Sequence, residues 1–375
     1  MSEDLREQDE FEIDEELNRK TPKSPWRRVA FGSWILILII ILLGVGGVLV
    51  YKTGFTFSQI QTEEIGNLNL TENMATPSPD SDRFNILLLG LRGEGDPNGG
   101  LLTDSIMVLS LKKSTGQTAL ISIPRDLYVT VPGTSTKEKI NFAYALGYEK
   151  KGAAGALLFS KIAVSQVTGL YMDKVLSVDH QALKDIVNTL GGISLTLDKP
   201  FVEDQQWING GDAGYSSAFY IRTDIATTSS GIKEEQKWVF EIPAGHTLMD
   251  GNTALYFVRA RYATSDFDRI RRQQLVLAAI KDKALSLGVL ANPIKIFQIM
   301  DSLGRNVKTD IGVNDFKNLL ALAENSEAKN IIRKVFDTTP EGLLYTSHTE
   351  SGAYILLPQG DNFSRIQEAC RNIFN

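Results

Sequence analysis

Residues 84–90 read FNILLLG, an apolar run that carries no charge and ends in glycine. A short run that is apolar at consecutive positions is typical of a strand buried on both faces. Similar runs follow at residues 106–111 (IMVLSL), 119–123 (ALISI) and 175–178 (VLSV). Segments of helical character, residues 152–170 and 181–190, lie between and after them. Strands mixed with helices predict an α/β fold, a sheet covered by helices on both faces.

The remaining segments extend this pattern. Residues 193–197 and 354–357 are typical of strands, and residues 364–373 of a short C-terminal helix. Residues 201–241 are polar and lack a clear period, so we expect loops there. After residue 274 the pattern favours helix up to about residue 323.

The composition of the chain excludes several classes of function. The chain has 375 residues, 43% of them hydrophobic, and a net charge of −6. It is long enough for one sizeable domain, and it lacks the basic character of a nucleic-acid-binding protein. A single cysteine, Cys370, excludes an intramolecular disulfide and a cysteine-based zinc site. The sequence contains no GxSxG nucleophile elbow, Walker loop or HExxH motif.

The N-terminal part predicts a membrane anchor. Residues 1–18 are acidic, residues 19–28 are basic, and residues 29–51 contain no charge. An uncharged segment of that length spans a bilayer as a helix, and its basic flank predicts a cytoplasmic N-terminus. A cleaved signal peptide is the alternative, but no clear small-residue cleavage site is present. We therefore expect a cytoplasmic tail (1–28), one transmembrane helix (29–51) and a stalk (52–82), with the folded domain outside the cell.

An arginine-rich stretch, RARYATSDFDRIRRQQ at residues 259–274, is the strongest candidate for the site. The apolar run before it, residues 254–258, predicts a strand, so Arg259 and Arg261 would point to the same side. Guanidinium groups bind phosphate oxygens in pairs and stay charged. The alternative is a surface helix with ordinary salt bridges.

A helix is predicted to begin within this stretch, with Asp266 or Asp268 at its N-terminus. On that helix Arg269, Arg272 and Gln273 lie at positions i, i+3 and i+4 and share one face. Arg271 should face away from them.

Four charged segments follow buried elements, and ligands of α/β proteins gather at strand ends. Hard carboxylate oxygens hold Mg²⁺ or Mn²⁺, while cations neutralise phosphates, so a mixture of both predicts a metal–diphosphate site. The candidate cations are Arg125, Lys139, Arg259, Arg261 and Arg269, and the candidate carboxylates are Glu94, Asp96, Asp104 and Asp266.

Several motifs in order resemble the LytR–CpsA–Psr proteins of bacterial cell envelopes. The motifs are TDSIMVLSL (103–111), ISIPRDLYVTVPG (121–133), KINFAYALG (139–147), LGGISLTL (190–197) and residues 251–274. The resemblance implies a membrane-anchored outer domain with a mixed central β-sheet between helices. It also implies a deep apolar groove for polyprenyl-linked diphosphates, and transfer of a glycan phosphate to an acceptor, typically peptidoglycan, with Mg²⁺ assistance.

The resemblance assigns roles residue by residue. It implies Asp104 as a metal ligand, and Arg125, Arg259 and Arg261 as diphosphate ligands. The pocket would be completed by Asp266, Arg269 and Gln273.

The sequence departs from the family pattern at two positions. Arg92 stands where the family usually has an aspartate, and Leu102 where it usually has an arginine. We therefore expect Glu94 or Asp96 to join Asp104 as a metal ligand. The apolar faces of residues 153–169 and 275–290 are the expected walls of the lipid groove.

These observations predict a magnesium-dependent glycopolymer phosphotransferase, with a pyrophosphatase side activity. Its catalytic domain would span residues 83–330, with residues 331–375 as a C-terminal extension packed on it. The substrate would be a polyprenyl-diphosphate-linked glycan and the acceptor peptidoglycan or another envelope polymer. Two alternatives stay open: a non-catalytic lipid-diphosphate binding or scaffold protein, and a regulatory protein that works through the acidic tail.

Overall fold

A computed structural model of the chain describes residues 61–62, 74–209, 216–228, 231–286, 304, 306–311, 315 and 331–375. The predicted tail, transmembrane segment and most of the stalk lie outside these residues. Within the described part of the chain, none of the helices combines the length and the apolar character needed to cross a membrane.

The described residues form strands and helices that are mixed along the sequence. The strands are β1 (Gln61–Thr62), β2 (Arg83–Leu91), β3 (Thr103–Lys112), β4 (Thr118–Ser122), β5 (Tyr128–Thr130), β6 (Lys137–Lys139), β7 (Lys174–Asp179), β8 (Ile193–Leu197), β9 (Phe201–Glu203), β10 (Phe219–Thr228), β11 (Gly231–Ile242), β12 (Gly245–Met249), β13 (Val307–Thr309), β14 (Ile332–Val335), β15 (Leu344–His348) and β16 (Tyr354–Pro358). The helices are α1 (Phe142–Thr168), α2 (His180–Thr189), α3 (Gly251–Arg259), α4 (Asp266–Ser286) and α5 (Ser364–Arg371).

The central sheet is mixed, with seven strands in the order β1-β13-β7-β2-β3-β4-β14. Strand β2 pairs in parallel with β7 and antiparallel with β3, and β4 pairs antiparallel with β3. Strand β14, which belongs to the segment after residue 330, pairs in parallel with β4 at one edge. The apolar runs that open the domain therefore occupy the middle of the sheet, as their composition predicts.

Helices cover both faces of this sheet. Alternate residues of β2 enter different cores: Ile86 packs with α2, α3 and α4, whereas Leu87 packs with α1 and α5. Both side chains are fully buried. The predicted α/β class with a mixed central sheet is confirmed.

Helix α1 contains a kink at Lys151 and Gly152, whose backbone angles are not helical. The kink brings Gly147 and Gly155 so close that a Cβ on either would lie 2.3 Å from the other's carbonyl oxygen. Helix α1 therefore needs glycine at both positions.

The prediction of a strand at residues 254–258 was wrong. Residues 254–258 are not a strand but the middle of α3, which Asp250 caps by accepting a hydrogen bond from the backbone N–H of Thr253. A short apolar run does not distinguish a buried strand from a buried helix, which explains the error. Helix α4, in turn, is capped by Ser265, whose hydroxyl accepts the N–H of Asp268.

The segment 201–241, predicted as loops, contains the antiparallel strands β9, β10 and β11. Strand β10 carries Arg222, which forms an ion pair with Asp204, and Asp224, which forms an ion pair with Lys237 on β11. Charged side chains pair across the strands and obscure the alternation of apolar positions. Beyond residue 274, helix α4 ends at Ser286, and residues 307–309 form strand β13 rather than helix.

Several loops of the chain lie at the same end of the central sheet, the side at which strands begin or finish; this side is called the edge of the sheet below. Strands β2, β4 and β7 run in the same direction and end at this edge, and the antiparallel strand β3 begins there. The start of α2 follows β7 directly, and α3 and α4 lie on the same face of the sheet. Polar residues from distant parts of the sequence therefore meet at this edge.

Arg272 fixes the corner between α3 and α4. Its Nε donates to the carbonyl oxygen of Phe257 at 2.9 Å, and a terminal nitrogen donates to the carbonyl oxygen of Ala260. These carbonyls belong to the last turn of α3, where a cation offsets the helix dipole. The guanidinium lies 4.5 Å from the ring centroid of Phe201, and burial lowers its pKa to about 10, so it stays charged at neutral pH.

We predict that Arg272→Leu lowers the free energy of unfolding by at least about 3 kcal/mol, because buried carbonyl groups lose charged donors. The measurement is urea unfolding of the full chain in detergent, followed by circular dichroism. Arg271→Leu is the matched control, since the Arg271 side chain is 52% exposed, and it should change stability by less than ~1 kcal/mol. Equal effects of the two variants would contradict this role.

Candidate active site

A cavity of about 250 Å³ opens at the edge of the sheet where these turns meet. Its inner wall is apolar, and side chains of β2, β7, α2 and α4 contribute to it. Its charged end carries the side chains Arg92, Asp104, Arg125, Arg259, Arg261 and Arg269. The cavity is therefore amphipathic, with a lipophilic interior and a cationic end.

The contact between Arg125 and Asp104 lies at the centre of the charged end. Asp104 belongs to the start of β3 and Arg125 to the loop after β4, and the Arg125 terminal nitrogen donates to Asp104 Oδ1. Arg92 approaches the other carboxylate oxygen, with its Nε 3.5 Å from Asp104 Oδ2. One carboxylate thus holds two guanidinium groups beside the cavity.

Arg269 reaches the same place from the first turn of α4. Its side chain is only 5% exposed, and its terminal nitrogen donates to Asp266 at 3.0 Å and to the backbone oxygen of Asp104 at 3.2 Å. Asp266 also lies 3.9 Å from Arg125 Nε. Asp266 therefore does not line the cavity itself but connects two arginines that do.

Arg259 and Arg261 come from the last residue of α3 and the turn after it. The Arg259 guanidinium lies 5.9 Å from the ring centroid of Tyr256, and that of Arg261 lies 5.3 Å from that of Tyr262. The Gln206 side chain accepts the backbone N–H of Arg261 at 2.9 Å and so holds the turn in place. The predicted pair does meet at the cavity, although a helix end and not a strand end positions it.

Three polar atoms at this end are buried without a hydrogen-bond partner: Arg125 Nε, Arg269 Nε and Gln273 Oε1. A buried donor without a partner costs on the order of 1–3 kcal/mol, so such groups mark a place for a ligand. Guanidinium donors suit phosphate oxygens. The Gln273 amide nitrogen lies 3.5 Å from the carbonyl oxygen of Val258, which leaves its oxygen as an acceptor.

The pKa values of Asp104 and Asp266 are shifted in opposite directions. Burial raises the pKa of Asp104, but Arg125, Arg269 and Arg92 outweigh it, and the net pKa lies below the usual value. Burial also raises the pKa of Asp266, and there Arg269 and Arg125 offset it only in part, so the net pKa lies above the usual value. Asp104 is therefore the carboxylate most firmly kept in its charged form, whereas Asp266 accepts a proton more readily.

His180 is a cavity residue that the sequence interpretation missed. It is the first residue of α2, directly after β7, and it lines the cavity. Burial and the neighbouring Arg259 lower its pKa to about 4, so the imidazole is neutral at pH 7. The rule that ligands gather where a strand ends and a helix begins would have found it in the sequence VDHQ at 178–181.

Several predicted site residues lie elsewhere. Lys139 forms an ion pair with Asp126 at 2.6 Å and does not line the cavity. Glu94 accepts a hydrogen bond from the Tyr148 hydroxyl at 2.7 Å, and Asp96 accepts the backbone N–H of Asn98 at 2.8 Å within its own loop. Neither carboxylate lines the cavity with Asp104, and a role for either as a metal ligand stays a prediction.

Of the two segments expected to form the walls of a lipid groove, one lines the cavity. Residues Val276, Leu277 and Ile280 of α4 line the cavity. Residues 153–169 belong to α1, which packs in the core on the opposite face of the sheet. The second wall is instead α2, through Leu183 and Ile186, and the sheet supplies Leu88, Leu176 and Val178.

The side chains near the cavity can be tested against the coordination that the predicted magnesium ion requires. Among the described residues, no three His, Cys, Asp or Glu side chains come close enough together to hold a metal ion. Asp104 is the carboxylate at the charged end of the cavity, and one carboxylate suffices for Mg²⁺ when phosphate and water oxygens complete the coordination. The residues therefore fit an ion that a bound diphosphate helps to hold.

The chain is similar to several known proteins. The chain is 24% identical over 355 residues to an Enterococcus faecalis protein named polyisoprenyl-teichoic acid–peptidoglycan teichoic acid transferase TagU, covering 92% of this chain and 96% of that one. It is 28% identical over 272 residues to the Bacillus subtilis transferase TagT of the same description, covering 71% and 72% of the two chains. A solved structure described as TagT bound to LI-WTA superposes with a TM-score of 0.54 at 21% identity, over 82% of this chain and 97% of that one, which shows a shared fold.

A protein-family model gives the assignment. The LytR_cpsA_psr family matches residues 50–372, which is most of the chain. The match begins inside the predicted membrane segment and extends through the C-terminal strands β15 and β16, so residues 331–372 belong to the family region. The chain belongs to the LytR_cpsA_psr family.

Proposed function

We propose that this protein is a membrane-anchored phosphotransferase that moves a glycan from a polyprenyl-diphosphate carrier to a cell-wall acceptor such as peptidoglycan. The observation that carries the proposal is the amphipathic cavity, which joins an apolar interior to five arginines at one end. A prenyl chain with a diphosphate head has the same division of character. The transferases to which the chain is similar are named for polyisoprenyl-linked teichoic acid and peptidoglycan, which supports the same substrate class.

The proposed reaction breaks one phosphoanhydride bond. An acceptor hydroxyl oxygen forms a bond to the sugar-linked phosphorus, the bond to the lipid-linked phosphate breaks, and polyprenyl phosphate leaves. The hydroxyl proton passes to a base. Arg125, Arg259 and Arg269 would neutralise the charge that develops on the phosphate oxygens, and the cavity wall would hold the reacting phosphorus in line with the acceptor.

We further propose that Asp104 would hold Mg²⁺ or Mn²⁺, which would supply positive charge to stabilise the leaving phosphate. Asp104 is suited to this role because its neighbours keep it ionised. Attack by water in place of the acceptor would give the pyrophosphatase side activity. The uncharged segment 29–51 supports an anchor in the cell membrane, with the N-terminus in the cytoplasm and the catalytic domain outside.

The direct test uses the full chain in detergent with a polyprenyl-diphosphate-linked glycan and peptidoglycan. Covalent transfer of the glycan, together with release of polyprenyl monophosphate, is the expected result. Binding of the lipid without any transfer would favour the non-catalytic binding protein instead.

We predict that Leu183→Trp blocks the prenyl end of the cavity, because the larger side chain occupies its apolar wall. Affinity for farnesyl diphosphate should fall roughly tenfold or more, as a lost apolar contact of about 60 Å² would imply. Inorganic diphosphate, which has no prenyl chain, should bind as before. Both affinities are measured by calorimetry.

Leu248→Trp is the matched control for this variant, since Leu248 lies on β12, is 62% exposed and does not line the cavity. It should leave both affinities unchanged. Unaltered farnesyl diphosphate binding by Leu183→Trp would show that the prenyl chain lies elsewhere.

We predict that Arg259→Lys lowers kcat/KM for glycan transfer roughly 30-fold, or about 2 kcal/mol, because lysine keeps the charge but loses the bidentate fork. The measurement is the transfer rate under subsaturating lipid. Arg271→Lys, whose side chain pairs with Asp268 at 2.8 Å outside the cavity, should retain the full rate. A comparable loss in both variants would mean that general surface charge, and not the cavity, governs the rate.

A further inference from the structure

The net positive charge of the cavity is at least as large as the negative charge of its proposed ligand. Five arginines and two carboxylates, Asp104 and Asp179, line it, which leaves three net positive charges. When the adjoining ion-pair partners Asp126, Asp266 and Lys139 are included, the net charge is still two positive charges. His180 adds no charge at neutral pH. A diphosphate diester carries one negative charge on each phosphate, and a diphosphate monoester such as farnesyl diphosphate carries up to one more, so the side chains that line the cavity can neutralise either.

Arg92 is one of the lining arginines that supply this positive charge. It follows the last residue of β2, where the pairing with β3 shifts register between Gly90 and Leu91. Its side chain is 25% exposed and lines the cavity, so it is neither a core residue nor a freely solvated one. Asp104, 3.5 Å away, is the contact that holds its guanidinium at the cavity.

Arg92 also occupies the side of Asp104 that a metal ion would need. Arg125 contacts one carboxylate oxygen of Asp104 and Arg92 the other. A divalent ion at Asp104 would lie beside a guanidinium, with unfavourable repulsion between like charges. As long as Arg92 contacts Asp104, the guanidinium and the ion compete for the same carboxylate oxygen, and a diphosphate that draws Arg92 away would free that oxygen for an ion.

We infer that Arg92 binds the diphosphate directly and supplies the positive charge that a divalent cation would otherwise provide, so this chain binds polyprenyl diphosphates without a metal ion. The inference rests on the proposed function and concerns binding, while the role of Mg²⁺ in transfer is a separate matter. Arg92 is in this sense a substrate-binding residue that shares Asp104 with Arg125 until the ligand arrives.

The test measures binding of farnesyl diphosphate to the full chain in detergent by calorimetry, once with EDTA and once with MgCl₂. The wild-type dissociation constants should agree within about threefold. Arg92→Ala should weaken binding in EDTA roughly tenfold, the loss of one charged hydrogen bond, and Mg²⁺ should recover much of that loss at the vacated side of Asp104. Arg92→Asp should bind only when Mg²⁺ is present.

Two variants control this experiment. Arg271→Ala removes an exposed arginine outside the cavity and should behave as the wild type in both conditions. Arg92→Lys keeps the charge and should lie between wild type and Arg92→Ala in EDTA. Urea unfolding of each variant shows whether a loss of binding reflects a loss of folding.

The outcomes separate this inference from the proposed function. Wild-type binding that requires Mg²⁺, or an Arg92→Ala variant that binds normally in EDTA, overturns the inference and leaves the proposed function standing. Failure of the wild type to bind farnesyl diphosphate in either condition overturns both. If the wild type binds farnesyl diphosphate without a metal ion and the Arg92→Ala variant binds it more weakly, the inference is established.

Discussion

The site depends on holding like charges together before a ligand is present. Five guanidinium groups converge on one cavity, and their mutual repulsion in a partly buried place must be offset. Carboxylates do this: Asp104 holds Arg125 and Arg92, and Asp266 holds Arg269 and approaches Arg125. The donors are therefore arranged in advance, so a diphosphate would meet cations that need little reorganisation.

The geometry of the sheet explains why the charged and apolar parts adjoin. Strands β2 and β7 are parallel and end at one edge, while their buried positions continue inward as Leu88 and Leu176. Helices α2 and α4 cover the same face and close the wall with Leu183 and Val276. A ligand bound between the helices and the sheet would therefore have its charged head at the arginines and its hydrocarbon chain against the apolar wall of the same cavity. An amphipathic ligand requires this arrangement.

The sequence predicted the strands that are buried on both faces, and it did not predict the strands that combine buried and charged positions. The runs at β2, β3 and β4 are apolar at nearly every position, and only a central strand with both faces covered needs that. Helix α3 has the same apolar density because the core surrounds it, so its sequence resembled a strand. Strands β10 and β11 carry charged pairs across the ladder, and those pairs are visible only when the two strands are aligned.

The arginines of α4 show how far sequence can assign a site. Arg269, Arg271 and Arg272 are of one residue type within four positions, yet one lines the cavity, one lies exposed beside Asp268, and one binds the carbonyls at the end of α3. Helical periodicity separates Arg271 from the other two, as predicted. It cannot separate Arg269 from Arg272, because both face inward and only the neighbour met by each side chain differs. That neighbour is Asp266, on the same helix, for Arg269 and the end of α3 for Arg272, and the packing of α3 against α4 places that helix end beside Arg272.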